Sequence, residues 1–581
     1  MASRLRAGRA AGAQGPAPSQ GDASRADLVV KSSCVFTGLS DEPCPAAVAI
    51  RGDRIVWVGC EEDLPRHVTC DDAVVHDFGD MLVMPGFHDS HLHFFHSALY
   101  SSPLAERFCG TSERDAVARL APLAARRPAG SWLLAQGWRD YLWTPAGTPS
   151  KRSLDEAYPD RPVAMYSGDA HTLWVNSAAL ERLGLDDASA PPAGGSYDRD
   201  GEGRLTGVIR EAAAMELMPR IVGEFSEGEL LEAYRSFARN LNEHGVTAVC
   251  DMSLMAHPGL DFVRDDLFRL LEERDELTVR VHLFPTLLAE GERLSDMRRA
   301  CAGPLVCACG YKQFFDGVSS QHTAWLRDAY ENARFDGDCG RPTVDPAVME
   351  ELVARAAATG DPVRIHAIGD AAIHRALDIF ERTARRAVSP VGGDLRPGGA
   401  AVASDQLLCL EHLENFQPDD IARLARLGVV AAVQPRHITL DPGGPERDLG
   451  YDRALFMWPF RSLIDAGACL AFGTDSPVTD IDPLAAVYTA VTRRDADTRE
   501  PKGGWLPSER ITLAEALRAY TRGSAQAAGR EDELGVLAPG MLADVTVIDR
   551  DLFADVVARP EAILDARVMA TFVGGTLAFM R

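Results

Sequence analysis

Between residues 245 and 475, short apolar runs alternate with longer helix-patterned segments, and run after run ends in a polar residue. The candidate strands are 245–251, 277–283, 362–366, 407–412, 429–434 and 469–475. A strand that is apolar throughout must be covered on both faces, and a parallel sheet packed under its own crossover helices provides that cover. Polar residues at the ends of several such strands fit a (β/α)8 barrel, in which the C-terminal strand ends build one site together. The 46 residues from His366 to His412 make one generous βα unit, and the 63 from His412 to Asp475 leave room for the strand at 429–434.

The chain ends read differently. Runs at 27–30, 46–50 and 55–59, the last two joined by the turn Arg51-Gly52-Asp53-Arg54, read as short strands, as do 544–549, 569–573 and 576–579 around the turn Gly574-Gly575. The expected fold class is therefore α/β: a (β/α)8 TIM-like barrel with a small β-sandwich domain formed from both chain termini. The sandwich is expected over 26–84 plus 534–581 and the barrel over 85–533, with an insertion at about 100–240 covering the barrel mouth. Residues 1–25 are rich in Ala, Gly, Pro, Ser and Arg and lack an apolar segment, which predicts a disordered tail rather than a secretory signal. An organelle transit peptide is the other reading of such an Arg-rich leader, but the same bias runs through the whole chain. The Pro- and Gly-rich stretch 388–405 predicts a loop insertion.

A net charge of −25 disfavours nucleic acid and anionic membrane, both themselves negative. The expected partner is a small-molecule substrate, with a homodimer as the assembly to consider. The twelve cysteines form no Cys-X-X-Cys pair, and Cys307-Ala308-Cys309 is too isolated to read as a metal knuckle, so reduced thiols and a cytoplasmic location are expected.

The stretch Pro85-Gly86-Phe87-His88-Asp89-Ser90-His91-Leu92-His93 follows the apolar run 81–84. Side chains alternate along a strand, so His91 and His93 project from one face and converge on one point, which suits zinc or a neighbouring divalent ion. His88 falls on the opposite face of a regular strand, and His374 on the helix after the His366 strand. Neither they nor His96 are expected at this centre.

Lys312 in Tyr311-Lys312-Gln313-Phe314, His366 in His366-Ala367-Ile368-Gly369-Asp370, His412 in Glu411-His412-Leu413-Glu414, His437 in Gln434-Pro435-Arg436-His437 and Asp475 in Gly473-Thr474-Asp475-Ser476-Pro477 follow in that order. With Asp482-Pro483 and the closing Gly535-Val536-Leu537-Ala538-Pro539-Gly540, they resemble the amidohydrolase superfamily. The branch is amidohydrolase-3, which includes the YtcJ-like proteins and N-substituted formamide deformylases, and the resemblance runs from about residue 27 to the C-terminus. It implies that His91 and His93 hold one metal with Asp475, and that His366 and His412 hold a second. It also implies that Lys312 bridges the two as an N-carboxylated lysine, since a free ammonium is no ligand. One or two Zn2+ ions are expected, with other divalent transition metals as alternatives. Asp475 and His437 are the implied catalytic residues, and His171, Asn176, Gln434 and His322 the implied substrate contacts.

The reaction so implied is hydrolysis of a C–N bond outside peptide backbones, in an N-formyl or N-acyl amide, a cyclic amide or a carbamate, by a metal-activated water. Two readings compete. The same metal site supports deamination, decarboxylation or isomerisation in the first, and the chain is a non-enzymatic scaffold in the second, against which the intact ligand set counts.

Overall fold

The computed structural model describes residues 25–581 apart from 169–170, 193–194, 255–260, 290–291 and 388–406. The expected loop at 388–405 and all but the last residue of the expected tail 1–25 fall outside the described residues. The chain divides into two compact units, one comprising residues up to 92, 239–475 and 479–581, the other 93–238 with 476–478.

Eight parallel strands organise the first unit: β1 (Phe87–Leu92), β2 (Val246–Met252), β3 (Arg280–Phe284), β4 (Tyr311–Phe314), β5 (Val363–Ala367), β6 (Leu408–His412), β7 (Val430–Val433) and β8 (Leu470–Phe472). Strands β1 to β3 pair in chain order in one sheet, which the short parallel strand Val306–Ala308 extends beside β3, and β4 to β8 pair in chain order in another. Thr286, just beyond β3, bridges to Lys312 of β4 in the parallel sense. On the other side, the Asp475 N–H donates to the His91 carbonyl at 2.7 Å and the Thr474 hydroxyl donates to Asp89 at 2.6 Å, tying the chain after β8 to β1. Gly473 is required at that approach, because a Cβ there would lie 2.5 Å from the His91 nitrogen.

Local sequence sets these elements. The helix Pro346–Thr359 starts where Asp345 caps the Ala347 N–H and Pro346 supplies a fixed φ, and it stops at Gly360 with φ of 72°. Every residue of β5 and β6 is buried, as expected of strands covered on both faces.

The chain termini meet in one eight-stranded sheet of order Thr576–Met580, Val568–Val573, Val545–Ile548, Leu82–Pro85, Leu28–Val35, Cys44–Arg51 and Arg54–Gly59, with Val74–Asp77 also beside Leu28–Val35. Its β-branched residues Val30, Val48, Ile50, Ile55, Val83, Val545 and Val547 pack with Phe572 in a single core. The strands of both termini thus form one continuous hydrogen-bonded sheet, and Val48 and Ile50 near one end of it share a core with Ala570 and Phe572 near the other. Pairing of Val83 with Val547 carries the ladder directly from the N-terminal strands to the C-terminal ones.

The second unit holds a six-stranded sheet of order Gly195–Arg199, Leu205–Glu211, Thr172–Val175, Val163–Ser167, Leu133–Trp138 and Ala105–Arg107. Trp138, Trp143 and Trp174 pack edge to face or tilted in its core, with Leu133, Leu154 and Met165 around them. Among the described residues no helix is long and apolar enough to cross a membrane.

Candidate metal centre

The C-terminal ends of β1, β4, β5, β6 and β8 bring His91, Lys312, His366, His412 and Asp475 together. The ring of His412 lies 4.3 Å from that of His366 and 4.9 Å from that of His91, centroid to centroid. His91 Nε2 stands 3.5 Å from one carboxylate oxygen of Asp475, and His437 Nε2 stands 3.6 Å from the other. His437 sits just past β7 in the short helix Pro435–Thr439, with its ring stacked at 5.9 Å on that of His412. His93 directly follows β1, at the point where the chain passes into the second unit, and its N–H donates to the Ser476 carbonyl at 2.9 Å. Two backbone features mark the site: His412 and Asp475 adopt φ of 72° and 56°, a left-handed region that side chains of this kind seldom occupy without a reason.

Hydrogen bonds to the far ring nitrogens decide which lone pairs point inward. His91 Nδ1 lies 2.6 Å from Glu411 Oε2, so it carries the proton and leaves Nε2 basic. His366 Nε2 donates to the Gly317 carbonyl at 3.1 Å, which leaves Nδ1 basic. Burial, followed by the field of Lys312, holds His91 down to about 4 and His366 down to about 3, while burial and the neighbouring imidazoles take His412 well below the ordinary histidine value. All three are therefore neutral at pH 7, the form in which imidazole ligates. His437 goes the other way: burial alone would lower it, but Glu414, 3.4 Å from its Nδ1, and Asp475 carry it above its ordinary value.

Glu411 is the hinge of the arrangement. Its second oxygen accepts from Arg364 Nε at 2.6 Å, and Arg364 in turn donates to the Ser90 carbonyl at 2.7 Å and the Ala527 carbonyl at 3.3 Å. Both ions are wholly buried. Desolvation pushes the Glu411 carboxyl up, yet Arg364 and His91 hold it well below the usual range, so it stays ionised behind the imidazole it orients. On the other flank Asp316 accepts from the N–H groups of Ile368, Gly369 and Trp325, fixing the turn after β5, with an oxygen 3.7 Å from His366 Nε2.

Among the described residues, four buried nitrogens of this centre have no hydrogen-bond partner: Lys312 Nζ, His366 Nδ1, His412 Nδ1 and His437 Nε2. A buried ammonium or imidazole nitrogen left alone is costly. A divalent ion fits this donor set of neutral imidazoles and carboxylate, and the lone lysine fits it once its nitrogen carries an anionic group. Among the described residues, His412, Glu414 and His437 also bring ligand atoms within 4.8 Å of one another, and another such group contains His91 and Asp475.

The expected substrate contacts divide. Gln434 follows β7 and its buried Nε2 has no partner. His322 is bound up locally, with Nδ1 2.6 Å from Asp338 Oδ2 and its ring stacked on Tyr330 at 4.2 Å. His171, in the second unit, pairs with Glu211 at 2.9 Å. Asn176 is held by backbone groups: its Oδ1 accepts from the Val163 and Ala179 N–H groups and its Nδ2 donates to the Tyr158 and Arg161 carbonyls, which uses all it has. His374 stays outside the centre, beside Asp420.

Arg364, Glu411, Glu414 and Asp316 were not singled out by the sequence reading. Alternation along a strand could have found Arg364, since it is two residues before His366 and shares its face in an otherwise apolar run.

The sequence profile described as the amidohydrolase family matches residues 74–579. Over 95% of its length the chain is 31% identical to the protein LONG AFTER FAR-RED 3 of Arabidopsis thaliana, covering 91% of that protein. It is 25% identical to the N-substituted formamide deformylase of Arthrobacter pascens, over 96% of this chain and 98% of that one. The crystal structure of an uncharacterized metal-dependent hydrolase from Pyrococcus furiosus superposes with a TM-score of 0.68 at 25% identity, over 90% of this chain and 99% of that one. A match of this extent, on a chain whose strand ends gather these residues, settles the relationship: the protein belongs to the amidohydrolase family, in its amidohydrolase-3 branch.

Proposed function

We propose that this protein is a metal-dependent hydrolase that cleaves a C–N bond of a small molecule, with N-substituted formamides as the first substrates to test. The observation that carries the reading is Lys312: its Nζ is wholly buried, without a hydrogen-bond partner, among His91, His366, His412 and Asp475. Burial lowers the Lys312 ammonium to about 8, opposed by Glu411 and Asp475, so the neutral amine that reacts with carbon dioxide is accessible near neutral pH. The carbamate so formed supplies two anionic oxygens where the bare lysine supplies none. His91, His93 and Asp475 would then hold one Zn2+, and His366 and His412 a second bridged by Lys312, at the mouth of a (β/α)8 barrel closed by the eight parallel strands.

A metal held by these residues would supply an acidified water and a Lewis acid for the substrate carbonyl. Asp475 takes a proton from the attacking water and hands it to the departing amine, acting as base and then as acid. His437, charged more readily than an ordinary histidine because Glu414 backs it, stabilises negative charge developing on the carbonyl oxygen. Glu411 keeps His91 in the tautomer that presents Nε2. The formamide class is supported by a relative named as an N-substituted formamide deformylase over nearly the whole chain. A cytoplasmic site of action is supported by the cysteines, all of them free thiols.

Elemental analysis with a panel of formamides, acyl amines, cyclic amides and carbamates tests the proposal. Expected are bound zinc and release of amine that chelation abolishes and zinc restores. Full turnover by protein shown to be metal-free rules the reading out, and ammonia release without amide cleavage moves it to deamination.

A further inference from the structure

Three neighbouring strands of the first unit carry a second group of ligand-type side chains that the proposed chemistry does not use. His88 of β1, Cys250 of β2 and His282 of β3 are 2%, 0% and 0% exposed, and one ligand atom from each lies within 4.8 Å of the others. Cys250 and His282 are register partners, so they stand on the same side of their parallel pair. The β1–β2 register slips on either side of His88, so β1 is not the regular strand on which a face for His88 was expected.

We propose that His88, Cys250 and His282 form a second metal site, for a thiophilic cation with a filled d shell, Zn2+ or Cu+, which the chain takes up as it folds. The spans fit. His88 Nε2 lies 3.0 Å from His282 Nδ1 and 3.6 Å from Cys250 Sγ. A tetrahedral ion bonded at about 2.05 Å to nitrogen and about 2.3 Å to sulfur sets these spans at about 3.3 and about 3.6 Å. The surroundings fit as well, because Cys307, Cys309 and Met252 pack beside Cys250, giving a soft, sulfur-rich pocket.

The alternative is a hydrogen-bonded cluster, and it serves one pair only: His282 Nδ1 and Cys250 Sγ both converge on His88 Nε2, which has a single lone pair or a single proton to share. Nor is it an apolar packing device, since fully buried parallel strands ordinarily fill such positions with aliphatic side chains. Burial keeps both imidazoles neutral and holds the Cys250 thiol protonated, up to about 12, so the empty pocket carries no charge. Binding releases the thiol proton to solvent and forms a metal–thiolate bond, and the thiolate offsets charge on the ion. The nearby guanidinium groups of Arg364 and Arg530 are already paired with Glu411 and Glu533.

Because the pocket is closed to solvent, the test uses folding. The full chain is unfolded in chelator, refolded with Zn2+ alone, with Cu+ alone under anaerobic reduction, or with Co2+ alone, and desalted. The donors assigned to the centre around Lys312 are nitrogen and oxygen only, so a sulfur signal cannot come from it. A near-ultraviolet thiolate-to-cobalt band is expected in wild type and in Cys307→Ser but not in Cys250→Ser, with one equivalent less metal retained by Cys250→Ser. Retention of zinc or of copper identifies the natural ion. Should Cys250→Ser fail to fold, X-ray absorption on refolded wild type decides: a sulfur scatterer lost in His282→Gln supports the site. A shell of nitrogen and oxygen alone with no cobalt–thiolate band overturns it, as does a band that survives in Cys250→Ser.

Discussion

Lys312 and Asn176 are both wholly buried polar residues, one in each unit, and they are held in opposite ways. Asn176 spends both lone pairs and both amide hydrogens on four backbone groups, so the strands and helix around it need it in place. The Lys312 side chain makes no hydrogen bond, and its Nζ lies over the face of Phe314, 4.9 Å from the ring centroid. Polar groups of the first kind stabilise the fold that contains them. Those of the second kind burden it, and persist where a bound group completes them.

The largest effect is expected at Asp475. Its strained backbone and its approach to His91 and His437 serve proton transfer in the proposed reaction, and a positioned base contributes about 10²–10⁴-fold in rate. Asp475→Asn keeps the shape and should lose at least about 10²-fold in kcat. Metal content, melting temperature and kcat on one preparation decide it: folded, metal-loaded protein within about threefold of wild type would remove Asp475 from the chemistry.

Glu411 belongs to both kinds, since it is fully hydrogen-bonded and also orients a ligand. Glu411→Gln leaves the Arg364 guanidinium buried with its charge unmatched, which should cost about 3–5 kcal/mol of stability, read as a lowered denaturation midpoint. It should also weaken metal binding about 10–100-fold, through loss of the His91 orienter. Loss of stability with unchanged metal affinity would make the pair purely structural.

How much of this could be read from sequence follows the same division. The six strands expected between 245 and 475 are present within three residues at each boundary, because a fully buried parallel strand announces itself as an apolar run. His366, His412 and Asp475 were legible because they end such runs, His91 because of its spacing from His93, and Lys312 only through the family resemblance. The surroundings of Asn176 are not legible in the sequence, because a loop asparagine beside a strand looks the same whether it faces a substrate or caps a helix; what distinguishes them is the set of partners, Val163, Ala179, Tyr158 and Arg161, brought together only by folding. The single sheet at the termini was hidden for a related reason. Strand character shows in composition, but pairing of Val83 with Val547 across more than four hundred residues does not.

Lys312 gives a stability test that needs no substrate. In metal-free, unmodified protein, burial depresses its pKa from 10.5 to about 8, so below pH 8 the folded state carries a disfavoured ammonium. Between pH 8 and 10.5 the unfolded chain binds the proton and the folded chain does not, so stability should rise with pH there, by about 3 kcal/mol in total. Lys312→Met should abolish that rise, and at pH 7 the metal-free variant should be the more stable protein while the metal-dependent activity is lost. Urea midpoints at pH 7 and pH 10 measure both. A variant less stable than wild type at pH 7, with the pH slope retained, would mean that the lysine supports the fold as Asn176 does.

Asn176→Ala is the mildest change and the cleanest check on the other end of the comparison. It removes four hydrogen bonds, two of them wholly buried and two to part-buried carbonyls, including the cap on the Ala179 N–H of the helix Ser177–Leu183. Each bond is worth about 1 kcal/mol net and the cap about as much, but water entering the space left by the amide will satisfy some of the stranded backbone groups. A net loss of about 1–3 kcal/mol follows, expected as a lower urea midpoint with an unchanged slope. Because no polar atom of Asn176 remains for a ligand, kcat and KM per folded molecule should match wild type. A KM raised about tenfold or more in protein of normal stability would return Asn176 to the substrate site, since that is the size of one lost hydrogen bond to a bound ligand.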